Sequence, residues 1–163
     1  MNCFTFGSIK AKRPTQQVMS EKTLLEFIHS FRHTASNRQE KYILGEVNVE
    51  DVVTLLELTG IDVSGFRRII DNFGVRHAFK KHGRPETEEP RGQIAILPED
   101  FEQIPDVVSF FDQIITEHSK KGLLIVRYEK GFEDFLLIYA EEIRFGQGEL
   151  AFQTLYKRKI RKP

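Results

Sequence analysis

Apolar positions in the first third of the chain recur at helical intervals. Leu24, Leu25, Phe27, Ile28 and Phe31 are spaced by threes and fours, which predicts a helix over residues 21–33 with Ser20 available as its cap. Lys41-Tyr42-Ile43-Leu44-Gly45-Glu46-Val47 reads as a short strand. Val52, Val53, Leu55 and Leu56 then mark a helix over residues 49–58, capped by Asn48 and stopped by Gly60. Ser64 opens a third predicted helix holding Phe66, Ile69 and Ile70, and Gly74 divides it from a basic helix at 75–82 that Gly83 closes.

Beyond Gly83 the signals shorten. Pro85, Thr87, Pro90 and the glutamates between them make 84–91 an exposed loop able to flank a cleft. Residues 93–97 read as a short strand, Pro98-Glu99-Asp100 as the first turn of a helix, and Pro105 as its interruption before a helical stretch at 107–116. After Gly122 the runs at 123–128, 135–143 and 150–156 are β-branched and aromatic, joined by short glycine-bearing links that suit consecutive antiparallel hairpins. The expected fold is α+β, with N-terminal helices followed by a C-terminal antiparallel sheet, in one domain over 21–163 after an irregular arm at 1–20.

Composition narrows the class. The 163 residues are 40% hydrophobic and 29% charged, the balance of a globular chain with a core of its own. Twenty-four basic side chains equal 24 acidic ones, so net charge points to no polyanionic partner. The distribution does: Arg76, Lys80, Lys81 and Arg84 stand with His77 and His82 in a stretch without an acid, and a second basic run ends the chain. Cys3 is the only cysteine, which excludes an internal disulfide and a cysteine-based zinc site. No apolar run has the length of a membrane span and residues 1–20 lack a signal-peptide core, so the expected setting is cytoplasmic.

On a helix His77, Lys80 and Lys81 fall on adjacent turns and can converge on a phosphodiester, with Arg76 beside them. Cleaving RNA without a metal requires a base for the 2′-hydroxyl proton, an acid for the leaving oxygen, and donors for the charged phosphorane. Histidine titrates in the useful range. His82, five residues on, points about 140° from His77 and serves equally as a general acid or as a C-cap. Strict alternation in the last strand puts Leu150, Phe152, Thr154 and Tyr156 on one face, with Lys157 on the other and at the rim. Thr154 and Tyr156 are candidate donors to a phosphate, Lys157 a candidate cation. Glu141 and Glu142 point to opposite faces of their strand, so one of them at most faces a cleft as a candidate base, and both read first as surface carboxylates paired to Arg144 or Arg127; His29, His33 and His118 read as structural or surface residues. No metal and no small-molecule cofactor is expected.

The succession Thr59-Gly60-Ile61-Asp62-Val63-Ser64-Gly65-Phe66, Ile69-Ile70-Asp71-Asn72, Arg76-His77-Ala78-Phe79-Lys80-Lys81-His82-Gly83, Gly92-Gln93-Ile94-Ala95-Ile96-Leu97-Pro98-Glu99-Asp100-Phe101, Glu141-Glu142-Ile143-Arg144 and Leu150-Ala151-Phe152-Gln153-Thr154-Leu155-Tyr156-Lys157 resembles the phage-associated barnase, EndoU, colicin and RelE-like nuclease domains over roughly residues 42–157. The resemblance implies helices before an antiparallel sheet of about four strands. It further implies metal-independent endoribonuclease activity, with tRNA a candidate substrate and a 2′,3′-cyclic phosphate as product. It points at His77, His82, Thr154 and Tyr156 as catalytic residues and at Lys80 and Lys81 for substrate phosphate, to which the residue pattern adds Arg76 and Lys157, with RNA and an immunity or antitoxin protein as partners. A prophage-encoded or virion-associated setting fits the same family. The chain departs from the family pattern at Phe79 and at Phe152-Gln153, where a lysine often precedes the threonine. The competing reading is a non-catalytic RNA-binding or phage structural module, or a protein-interaction domain, with the same basic helix.

Overall fold

The computed structural model describes residues 22–161, so the irregular arm expected over residues 1–20 lies outside the described residues. Helix α1 (Leu24–Phe31) is capped by Thr23, which exchanges hydrogen bonds with Glu26 in a capping box, and the expected cap Ser20 lies outside the described residues. Strand β1 (Lys41–Glu46) and helix α2 (Val49–Thr59) follow, the latter capped by Asn48 and ended by Gly60 in the left-handed conformation. The chain then departs from the expected helix: Asp62, Ser64 and Gly65 form a turn, and Arg67–Asp71 is strand β2. Four of its five residues are buried, since it lies between two other strands with both faces covered. A two-sided strand carries no alternation, and its Ile69-Ile70 run mimics a buried helix.

Asp71 ends β2 and caps helix α3 (Asn72–His82), accepting from the Gly74 N–H at 2.6 Å. Gly74 therefore sits in the first turn of α3 instead of dividing two helices. A short helix α4 (Pro85–Glu88), strand β3 (Gln93–Ile94), a 3₁₀ segment (Pro98–Gln103) and helix α5 (Ile104–Ser109) lead to strand β4 (Gln113–His118). The helical stretch expected over 107–116 therefore ends at Ser109, because the β-branched Ile114, Ile115 and Thr116 pair with the next strand. Strands β5 (Leu124–Gly131), β6 (Phe135–Arg144) and β7 (Glu149–Lys159) form the expected antiparallel meander.

Among the described residues the sheet thus has seven strands rather than about four, in the order β1-β2-β7-β6-β5-β4, with β3 also on β7. It is antiparallel except where β2 runs parallel to β7. The class is α+β, with two strands ahead of the basic helix instead of helices first. On its outer edge β7 pairs with β2 through residues 149–151 and with β3 through 157–158. Helix α3 lies against the stretch between. An added Cβ on Gly74 would lie 2.9 Å from Phe152, and His82 stacks on Tyr156 at 5.2 Å between ring centroids. Eight helical residues at about 1.5 Å each match four strand residues at about 3.3 Å each, so helix and strand advance together.

The core fills one face of the sheet under α1, α3 and the 3₁₀ segment, with Phe79, Phe101, Phe152 and Tyr139 in successive ring contacts. Glu141 is in this core, not at the surface. It is fully buried and accepts from Arg68 at 2.7 and 3.1 Å, from Tyr128 at 2.8 Å and from Tyr139 at 2.8 Å. Arg68 reaches on to Asp51 at 3.2 Å. Burial alone would lower the Arg68 pKa, yet the charge and hydrogen bonds of Glu141 carry it well above its ordinary value. Burial and the Glu141 charge push both tyrosine hydroxyls up, so they remain donors. Glu142 does pair with Arg144, at 3.4 Å.

Removing one partner leaves the other as a buried charge. Glu141→Ala is expected to lose about 3–5 kcal/mol of stability in urea unfolding, and the double variant Arg68→Met/Glu141→Leu to lose less than that single change. Equal losses would show that the pair itself, rather than an orphaned guanidinium, sets the cost.

Candidate active site

The position of the site follows from one extra residue. Tyr139 pairs with Leu155 and Ala140 with Thr154, but the next residue, Glu141, pairs with Phe152. Gln153 is a β-bulge with no partner of its own. Across it the alternation of β7 reverses: Phe152 and Leu155 both face the core, whereas Thr154 and Tyr156 turn to the opposite face with Ala140 and Ile138. Strict alternation places Thr154 and Tyr156 on the face of Phe152, and the bulge overturns that.

On the face so exposed lies an open cleft of about 460 Å³. Helix α3 supplies His77, Lys81 and His82 to its wall, β7 supplies Gln153, Thr154 and Tyr156, β3 and the segment before it supply Gln93 and Arg91, and the end of β4 with the turn after it supplies Glu117, His118 and Ser119. Five of the candidate residues therefore meet: His77, Lys81, His82, Thr154 and Tyr156. His82 joins His77 there despite their angular separation on the helix, because it stacks on Tyr156 across the open edge of β7.

Three candidates stand elsewhere. Arg76 and Lys80 lie one residue round the helix from His77 and Lys81 and line a different groove with Arg32, His33 and Arg84. Lys157 is not at a rim. The bulge turns it to the core side, where it is 6% exposed, 2.9 Å from Asp100 Oδ2 and over the ring of Phe135.

Three chemically relevant residues, one buried behind the cleft and two lining it, lie outside the expected site set. Glu88, expected in an exposed loop, is fully buried, with Oε2 3.0 Å from His82 Nδ1 and Oε1 3.6 Å from Arg91 Nη1. Pro85 at the start of α4 was the available signal: it sets one helical turn, which folds Glu88 back beneath His82. Arg91 adds a cation, and His118 adds an imidazole on the opposite wall. A lone histidine at a strand end gives no sequence sign of that placement.

With Glu88 as the carboxylate, Nδ1 of His82 carries the proton and donates it, leaving Nε2 with a free lone pair. Burial lowers the His82 pKa below its ordinary 6.5, against the hydrogen bond and charge of Glu88, which raise it. The imidazole is thus held neutral, in one tautomer and one orientation, while Lys81 and Arg91 supply positive charge and Thr154 and Tyr156 supply hydroxyl donors. Among the described residues no group of three or more histidine, cysteine or carboxylate side chains is arranged to hold a metal ion. No helix among them is long and apolar enough to cross a membrane.

An α+β sheet with a histidine-bearing helix laid along its central strand, and a cleft of imidazoles, cations and hydroxyls beside it, has the make-up of a nuclease domain. Residues 45–162 match the family described as phage-Barnase-EndoU-ColicinE5/D-RelE like nuclease3, and the chain belongs to that family. No curated protein and no solved structure matches it.

The depressed His82 pKa has a sign. The unfolded chain takes up the proton near 6.5 and the folded chain only below that. Stability from this group is complete above pH 6.5 and declines as pH falls towards the folded value. In an NMR titration His82 is expected to titrate below 6.5, and Glu88→Gln to move it further down by removing the two raising influences. An upward shift in that variant would contradict this account of the pair.

Proposed function

We propose that the domain is a metal-independent endoribonuclease that cleaves RNA by transesterification. The observation that carries the reading is the meeting, in one cleft, of a neutral, carboxylate-held His82 with His77, two cations and two hydroxyls. His82 Nε2 takes the proton of the ribose 2′-hydroxyl. The 2′-oxygen attacks phosphorus, the bond to the 5′-oxygen breaks, and His77 gives that oxygen a proton, leaving a 2′,3′-cyclic phosphate and a free 5′-hydroxyl. Lys81 and Arg91 balance the charge gathering on the phosphorane, and Thr154 and Tyr156 donate to its non-bridging oxygens. The 2′-hydroxyl requirement makes the substrate RNA rather than DNA, with tRNA as a first candidate. A cytoplasmic setting, phage- or toxin-linked, and an immunity or antitoxin protein that covers the cleft belong to the same proposal.

Purified protein incubated with total tRNA in EDTA is expected to yield fragments ending in 2′,3′-cyclic phosphate. His77→Ala and His82→Ala are each expected to slow cleavage by about 10²–10⁴-fold, the usual worth of one acid or base. An RNA pattern identical for the wild type and His77→Ala would refute the catalytic reading. If RNA binding then persisted with a steep salt dependence, the cleft would belong to a non-catalytic RNA-binding module.

A further inference from the structure

Helix α3 shows a second basic row on the side away from the cleft. Arg76 and Lys80 line a groove of about 250 Å³ together with Arg32 and His33 from the end of α1, Phe79 from the helix between, and Gly83 and Arg84 just past its end. Among the described residues no acid lines the groove, and none of Arg32, Arg76, Lys80 and Arg84 forms an ion pair with another of them. The chain as a whole has equal numbers of basic and acidic side chains, so this segregation is local.

Two helix C-termini meet at the groove, those of α1 and α3, and cations are stabilised there. The dipoles account for only part of the charge. Each contributes roughly half a negative charge, about one together, against four cations, and Arg76 stands outside the last turn of its helix. Several unit positive charges are left facing solvent. Arg32 is also fixed in place: its guanidinium lies 5.1 Å over the Phe79 ring and its Nε donates to His33 Nε2 at 3.1 Å. The end of α3 at the groove takes a glycine, since a Cβ on Gly83 would come 2.5 Å from the Phe79 carbonyl oxygen.

We infer that this groove is a second nucleic-acid contact, an exosite that grips the phosphate backbone of an RNA strand whose reacting nucleotide lies in the cleft. The inference rests on the ribonuclease reading. The two basic rows are separated by about 100° round one helix, so a strand leaving the cleft meets the second row by passing over α3. Three of the four cations are arginines, whose planar forks match phosphate oxygens in pairs. The groove contributes no acid, base or hydroxyl to the chemistry. It therefore sets the affinity for long substrates and leaves the reaction at a single linkage alone.

The test uses the full chain and a 2′-O-methyl oligonucleotide, which has no 2′-hydroxyl to react, of roughly 20 residues. That is longer than the ~4–16 nucleotides a single-strand module covers. Binding is followed by anisotropy across a salt series. For Arg76→Ala/Lys80→Ala/Arg84→Ala the slope of log affinity against log salt is expected to fall by about two, roughly 0.7 for each phosphate that the groove no longer neutralises. The triple Arg76→Lys/Lys80→Arg/Arg84→Lys should keep the wild-type slope, which excludes loss of folding as the cause. Cleavage of a dinucleotide should be unchanged in both.

An unchanged slope in the alanine triple overturns the exosite. So does a triple that keeps its RNA affinity but loses binding to polyglutamate, which would make the groove a seat for an acidic protein. The outcomes separate from those of the ribonuclease reading. A wild type that fails to cleave any RNA sinks the catalytic proposal, whereas the RNA contact at the groove is overturned by the binding measurements on the alanine triple.

Discussion

The bulge at Gln153 is the constraint on which the site depends. Its position is tied to the best-anchored carboxylate in the core. Glu141 is fixed on the core face by Arg68, Tyr128 and Tyr139, and Phe152 lies opposite it in register. A strand that satisfies both Phe152 and Leu155 in the core must insert a residue between them, because regular alternation sends residues an odd number apart to opposite faces. The extra residue takes Thr154 and Tyr156 out of the core and into the cleft. It also turns Lys157 inward, where Asp100 and the Phe135 ring receive it.

Along the same stretch β7 has no strand partner on its outer edge among the described residues, and α3 occupies the gap. That arrangement gives the helix two chemically different sides. The side towards the core holds Val75, Ala78 and Phe79. The exposed residues are divided by the sheet edge into His77 with Lys81 on one flank and Arg76 with Lys80 on the other. A basic helix that looks like a single patch in the sequence becomes two surfaces once an edge runs beneath it.

The C-terminal meander was readable from its β-branched runs and glycine links, and α1 and α2 from their spacing and caps. What failed had physical causes. β2 is covered on both faces and so shows no period. β4 continues an apolar pattern that suits a helix until Ile114, Ile115 and Thr116 meet β5. The bulge did leave a trace, since the apolar positions 150, 152 and 155 break the step of two. The basic helix and the order of motifs around it pointed to the right family, but which of its cations face the histidines depends on the sheet edge. Glu88 could not be found by composition, because glutamate in a proline-bearing segment is ordinarily solvated.

The two buried acid–base pairs differ in a way that separates their roles. Glu141 has two hydrogen-bond donors on each oxygen, so its burial is compensated within the core. Glu88 is equally inaccessible but uses only Oε2, on His82. Its Oε1 has no hydrogen-bond partner among the described residues, the nearest cation being Arg91 at 3.6 Å. An unsatisfied buried oxygen costs about 1–3 kcal/mol, and an apolar side chain of similar size would remove that cost. Stability therefore gives no reason for a carboxylate beneath His82. Orientation does: a neutral imidazole at a helix C-terminus, near Lys81 and Arg91, has two tautomers and two ring flips open to it. A carboxylate at Nδ1 selects the one that leaves Nε2 as an acceptor. Arg91 both lines the cleft and lies beside Glu88, so in the proposed reaction the binding of a phosphate and the setting of the base would be coupled through one side chain.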